Sequence, residues 1–193
     1  MYFCKASAAI FVDSKQRKAT NIIRYIDMTE KEKMLAGQIY SATDPQLLEE
    51  LAAAREVIHD FNRLRPSEHE RKMELLKVLL GHIGDDQIIV NQPFHCDYGK
   101  QIRVGRRFFA NFNFTVLDEA SVNIGDDCFI GPNVSIYTAC HSTDPIERNS
   151  RQEWAKPVTI GDNVTIGAGS VVVADIPSNC VAVGNPCKVV RQL

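Results

Sequence analysis

No run of apolar residues in this 193-residue chain approaches the ~20 needed to span a bilayer, so no membrane partner is expected. A basic excess is missing too. Lys plus Arg is 22 against 24 for Asp plus Glu, a formal charge of -2, whereas sequence-independent phosphate binding needs a surplus of cations; nucleic acid is therefore not expected as a partner. The six cysteines, Cys4, Cys96, Cys128, Cys140, Cys180 and Cys187, contain no Cys-x-x-Cys pair and no compact spacing. That excludes a zinc ribbon and a disulfide framework and leaves reduced thiols in a cytoplasmic protein as the expectation. The N-terminal stretch has Phe3-Cys4-Lys5 where a secretory signal needs a clean apolar run after its basic flank. What remains, 45% apolar and 24% charged residues, is ordinary globular composition and excludes a disordered or collagen-like chain.

Residues 1–27 have no clear period and read as an extension, with Met28 a candidate natural start. Thr29 with Glu32 then forms a capping box. Asp44-Pro45 supplies an N-cap and a proline at the first helical position, followed by Leu47, Leu51, Ala54, Ile58 and Phe61 at spacings of three and four. Arg65-Pro66 ends that helix; Ser67 and Glu70 suggest a second capping box ahead of Met73, Leu76 and Leu80, with Gly81 and Gly84 as stops. Residues 28–84 are thus expected to be a helical segment.

From residue 85 onward the period changes to an aliphatic residue followed by Gly every six residues. Ile124-Gly125, Ile130-Gly131 and Ile136 form one such run; Ile160-Gly161, Ile166-Gly167 and Val172 form another; Val104-Gly105, Ala110 and Val116 form an earlier one. Three runs in phase predict a mainly β solenoid over 85–193, with one inward aliphatic residue per hexad, three hexads to a turn, and Gly and the pairs Asp126-Asp127 and Asp162-Asn163 at the corners. Such turns must stack and be closed at their ends, and the helices plausibly close the N-terminal one. Residues 142–157 interrupt the phase and are too long for a corner, and loops leaving a rigid scaffold often carry function.

The residues Lys31-Glu-Lys-Met-Leu-Ala-Gly37, Cys96-Asp-Tyr-Gly99, Phe108-Phe-Ala-Asn-Phe-Asn113, Ile136-Tyr-Thr-Ala-Cys-His141, Lys156-Pro-Val-Thr-Ile-Gly-Asp-Asn163 and Gly184-Asn-Pro-Cys187 resemble the maltose and galactoside O-acetyltransferase branch of the hexapeptide-repeat acyltransferases. The resemblance covers 28–193. It implies a left-handed parallel β-helix, a homotrimer with sites between subunits, and metal-free transfer of an acetyl group from acetyl-CoA to a sugar hydroxyl. By motif position His141 matches the general base, for which imidazole is suited near neutral pH. Asp97 and Asn111 match acceptor-contacting residues; turn and corner roles are their alternatives. Glu119 stands where the galactoside branch has an Asp, and Asp118 is a candidate to share or replace its role. Glu153 and Trp154 are candidates for lining the acceptor site across the subunit boundary, with loop anchoring the alternative for Trp154. Ala168, Val173, Ala174, Lys188 and Arg191 stand at CoA-contacting positions, the two cations as phosphate partners or as part of a solvated tail. A Cys140–His141 nucleophile pair is disfavoured, since neighbours on a strand point to opposite faces.

Two departures qualify the resemblance. The Arg-rich helical stretch of the family is reduced here to Leu51-Ala-Ala-Ala-Arg55, leaving Arg55 alone and the sugar preference open. After Asn163 about 18 residues that relatives carry, one complete turn, are absent. Loss of a whole turn preserves the inward phase but moves the nucleotide end of CoA by one strand spacing, roughly 4.8 Å, and Val173-Ala174 replaces the family's Thr-Lys. A CoA-impaired trimeric binding or assembly protein is therefore the alternative function. A metal-dependent hydratase on the same solenoid needs three converging histidines, and only His95 and His141 lie in the repeats.

Overall fold

A computed structural model describes residues 28–193; the expected extension over 1–27, Cys4 included, lies outside the described residues. The capping box at Thr29 forms as expected. Its Oγ1 accepts from Glu32 N at 3.2 Å while Glu32 Oε2 accepts from Thr29 N at 2.7 Å, and helix α1 runs Glu30–Leu35. A two-residue strand β1, Tyr40–Ser41, follows. Asp44 Oδ1 then accepts from Gln46 N and Leu47 N at 3.0 and 3.3 Å and opens helix α2, Pro45–Arg63. Its buried stripe is Leu47, Ala54, Ile58 and Phe61, with Leu51 half-buried.

The second capping box does not form. Residues 65–68 close a turn in which Glu68 N donates to Arg65 O and Glu68 Oε2 accepts from Arg65 N at 2.7 Å, so the chain enters helix α3, His69–Leu79, one residue late and without a side-chain cap. Gly81 is not a helix stop either. The helix ends two residues earlier, and Gly81 N donates to Ile102 O at 2.9 Å, which already places it on the solenoid; a Cβ there would collide with the Lys100 carbonyl.

The hexad residues line three parallel sheets. In one, Ile83 of β2 (His82–Ile83) pairs with Val104 of β5 (Ile102–Val104), then Ile124 of β8 (Val122–Ile124) and Ile160 of β13 (Val158–Ile160), with a bridge to Ile176. In the second, Val90 of β3 (Ile89–Val90), Ala110 of β6 (Phe109–Ala110), Ile130 of β9 (Phe129–Ile130), Ile166 of β14 (Val164–Ile166) and Ala182 of β16 (Cys180–Val183) form the ladder. In the third, Cys96 of β4 (Phe94–Cys96), Val116 of β7 (Phe114–Leu117), Ile136 of β10 (Ser135–Tyr137) and Val172 of β15 (Val171–Val172) do so. Every one of these residues except Ile83 is buried. About five turns stack in this way, and β17 (Lys188–Gln192) folds back antiparallel onto β16.

The turn is not 18 residues throughout. Register partners Val104 and Ile124 are 20 apart, as are Ala110 and Ile130, and Val116 and Ile136; the last turn, Ile160 to Ile176, takes only 16. The surplus sits at one corner, where the step from Val116 to Ile124 is eight residues instead of six. Calling the corners first, second and third in chain order within a turn, this wide third corner contains 97–101, 118–121 and 173–175, and it launches the 142–157 excursion.

Glycine in the aliphatic-Gly pairs has a reason other than conformational freedom. Gly105, Gly125 and Gly161 stack at the first corner with ordinary φ, while the left-handed residues there are Arg107, Asp127 and Asn163 at φ 53, 56 and 54°. A Cβ on Gly125 would lie 2.8 Å from Asp162 N and from the Gly161 carbonyl carbon, so close stacking of successive turns is what excludes a side chain. Gly125→Ala is expected to destabilise the chain by about 1–3 kcal/mol, read as a lower denaturant midpoint at unchanged slope.

Candidate active site

The third corner gathers most of the expected acceptor-side residues in one chain. Thr138 fixes its backbone: Oγ1 donates to Leu117 O at 2.8 Å and accepts from Ala120 N at 2.9 Å. The excursion that leaves it is structured rather than a loop. Strand β11, Ala139–Cys140, leads to helix α4, Pro145–Asn149, which is capped by Asp144 just as α2 is capped by Asp44, and the chain returns on β12, Gln152–Ala155. Strands β1, β12 and β11 form a small antiparallel sheet in which Tyr40 faces Glu153 and Trp154 faces Cys140.

That sheet carries the His141 contact. Glu153 Oε2 lies 3.2 Å from His141 Nδ1, with both side chains largely buried at 18% and 13% exposure, and Tyr40 O–H donates to Glu153 Oε1 at 2.5 Å. A carboxylate on Nδ1 selects the tautomer with the proton there and leaves Nε2 as the acceptor nitrogen. Tyr40 is 2% exposed; burial, then its bond to Glu153, raises its phenol far above the ordinary range, so it remains a donor. Glu153 thus meets the His141 of its own chain. Cys140 Sγ donates to Thr138 O while His141 is turned to Glu153, so the two adjacent residues do not form a nucleophile pair.

Of the two neighbouring acids, Asp118 is excluded from the acceptor side. It is fully buried, and its carboxylate accepts from Asp97 N, Tyr98 N and Gln101 N at 3.1, 2.9 and 3.4 Å, holding the turn below. Burial pushes it up to about 7 against the pull of those N–H groups. Glu119 is 8% exposed and raised well above a normal carboxyl, first by burial and then by the Asp97 carboxylate with which it shares a hydrogen bond. The corner therefore holds two carboxyl groups joined by a hydrogen bond, Glu119 and Asp97, beside the His141–Glu153 contact. Arg55 is not alone, contrary to expectation. One turn apart along α2, Arg55, His59 and Arg63 line a cavity of about 460 Å³ that also reaches His95 and Asp97.

The remaining candidates lie elsewhere. Asn111 is at the second corner, where its Oδ1 accepts from Phe112 N at 2.8 Å; Ala168 occupies the same corner two turns up, packed against Gly131. Lys188 and Arg191 are exposed on β17 and make no ion pair among the described residues. Val173 and Ala174 return to the third corner, one turn beyond the excursion, with Ala174 exposed. Within a single chain the set is thus split between the corner of His141 and surfaces across the prism. Sequence reasoning missed Tyr40, Tyr98 and Thr138. Tyr40 has no local signal, whereas the Asp144-Pro145 pair was a legible start for α4.

Comparison with known proteins identifies the family. Residues 33–84 match the maltose acetyltransferase hexapeptide capping motif, and residues 121–139 and 157–189 match the hexapeptide repeat of succinyl-transferase. Galactoside O-acetyltransferase of Escherichia coli K12 is 33% identical, aligning 87% of this chain with 92% of its own; nodulation protein L of Rhizobium meliloti is 39% identical over 83% and 97%. The crystal structure of a maltose O-acetyltransferase from Clostridium difficile 630 superposes with a TM-score of 0.78 at 44% identity, over 86% of this chain and 98% of that one. Galactoside acetyltransferase in complex with coenzyme A gives 0.76 at 34%, over 86% and 92%. The alignment with the Escherichia coli enzyme spans 186 positions but draws on 87% of this chain, about 168 residues, leaving about 18 positions opposite nothing; that with nodulation protein L spans 179 and draws on about 160, leaving about 19. Both shortfalls are close in size to the single turn expected to be absent after Asn163. This chain belongs to the maltose and galactoside O-acetyltransferase branch of the hexapeptide-repeat acyltransferases.

Proposed function

We propose that the chain transfers the acetyl group of acetyl-CoA to a sugar hydroxyl, with His141 as general base. The observation that carries the assignment of the base is the 3.2 Å contact between His141 Nδ1 and Glu153 Oε2. It orients Nε2 to take the proton of the attacking hydroxyl, and a carboxylate at Nδ1 stabilises the imidazolium that results. The hydroxyl oxygen attacks the thioester carbonyl, and the thiolate of CoA leaves with the proton returned through His141. Asp97 and Glu119 bind neighbouring sugar hydroxyls as a mixed acceptor and donor, and the cavity under Arg55, His59 and Arg63 takes the rest of the acceptor.

The division of candidates between corners supports a homotrimer: Asn111 and Ala168 on the second corner of one subunit complete a site whose His141, Glu119 and Val173-Ala174 come from the third corner of the next. Lys188 and Arg191, exposed on β17, suit the phosphates of CoA. The missing turn and the Val173-Ala174 pair favour one competing reading, a CoA-impaired trimeric binding or assembly protein. Titration calorimetry with acetyl-CoA separates the two. The enzyme reading expects micromolar binding, and no detectable heat at tenfold higher ligand would leave the assembly reading in its place.

A further inference from the structure

We propose that Tyr40 is a positioning residue for the base: its phenol locks the Glu153 carboxylate so that Oε2 meets His141 Nδ1, and it thereby makes the helical N-terminal unit part of the catalytic apparatus. The inference rests on the reading of His141 as the base and adds to it a group from a different part of the chain.

Three observations converge. First, β1 and β12 pair antiparallel with Tyr40 directly opposite Glu153, so the strand register itself delivers the phenol to the carboxylate, 113 residues away in sequence. Second, the two carboxylate oxygens are divided: Oε1 accepts from Tyr40 at 2.5 Å and Oε2 faces His141 at 3.2 Å. A carboxylate held at one oxygen loses its rotational freedom at the other, which keeps the imidazole in one orientation and one tautomer. Third, β1 is itself braced. Glu30 of α1 accepts from Ser41 N at 2.6 Å and pairs with Lys33, and Tyr40 shares a buried cluster with Met34, Leu47 and Tyr98. Two-residue strands are marginal alone, so this bracing is what gives Tyr40 its fixed place.

The electrostatic sign follows from the groups facing the pair. From the third corner these are Tyr98, Glu119 and Asp97, while Glu30 and Lys33 of α1 pair with each other and Glu30 accepts from Ser41 N. Among them only the Tyr40 hydroxyl donates to Glu153 Oε1. Its hydrogen bond disperses the carboxylate charge, so its removal concentrates that charge on His141 and favours the imidazolium.

The test uses full-length Tyr40→Phe, Glu153→Gln and the double variant. In each, the His141 ring is titrated by NMR and kcat is measured across pH. Tyr40→Phe keeps the ring and its packing; its thermal melt verifies folding. The expected result is a His141 titration displaced upward from wild type, the acid limb of kcat moved with it, and a plateau kcat about tenfold lower. In the Glu153→Gln background the same substitution changes neither. The proposal is overturned if Tyr40→Phe leaves the His141 titration and kcat at wild-type values, or if its effects are equally large without the Glu153 carboxylate, which marks a packing role. The titration does not require turnover, so loss of acetyl transfer altogether strikes the assignment of the reaction and leaves this test intact. In the unsubstituted protein, a His141 ring with its proton on Nε2 at neutral pH likewise refutes the relay.

Discussion

His141→Ala lowers kcat for acetyl transfer by a factor of about 100 or more, a loss of about 2.7 kcal/mol in transition-state stabilisation, while acetyl-CoA affinity stays within twofold of wild type. The asymmetry follows from the geometry. In the proposed mechanism His141, held by Glu153, acts only in proton transfer, whereas the candidate CoA contacts are other residues, Ala168, Val173, Ala174, Lys188 and Arg191. Removing an imidazole that acts only in proton transfer therefore costs turnover rather than binding. Single-turnover measurements with saturating acetyl-CoA isolate the chemical step. Wild-type turnover in this variant would remove His141 from the mechanism and with it the meaning of the Glu153 contact.

Phe94→Ala is expected to cost about 3–5 kcal/mol of folding stability. Phe94 is 2% exposed and is the hinge of an aromatic chain: Phe61 of α2 meets it edge-on with ring centres 6.4 Å apart, and Phe114 of the next turn stacks on it at 5.7 Å. Asn62 clamps the same residue's backbone, donating to Phe94 O at 2.8 Å and accepting from Phe94 N at 2.9 Å. Helical cap and solenoid thus share one core through this point. Truncation leaves a cavity exactly where the two halves join, or nearly so, and rigid coils relax little to fill it. Urea unfolding followed by helical and β signals should show both moving together to lower midpoints. A drop in the helical signal alone would mean that the cap is an independent unit.

How far the sequence could carry these conclusions depended on how local each signal was. The inward columns were legible because an aliphatic residue every sixth position has one physical explanation, and Ile130, Ile136 and Ile166 are fully buried where expected. The starts of α1 and α2 were legible because capping is decided within four residues. The late start of α3 was not, since the turn over 65–68 is closed by Glu68, whose N–H bonds to Arg65 O and whose carboxylate accepts from Arg65 N, contacts that the Ser67–Glu70 spacing does not reveal. The meaning of the glycines was misjudged for a related reason: close approach between Gly125 and Gly161 is a contact 36 residues apart and has no local trace. The site divides in the same way. His141, Asp97 and Glu119 came from motif positions, and the structure brings them to one corner; the eight-residue step from Val116 to Ile124 marked that corner in the sequence without revealing its use. Tyr40 was hidden, because its role exists only through the pairing of β1 with β12.

The account stands or falls on release of free thiol from acetyl-CoA in the presence of a panel of neutral mono- and disaccharides. It predicts that the full-length chain releases thiol in a sugar-dependent, saturable manner, with at least one sugar raising the rate well above slow hydrolysis. Tight acetyl-CoA binding with no sugar-dependent release from any member of the panel, or no binding at all, would contradict it.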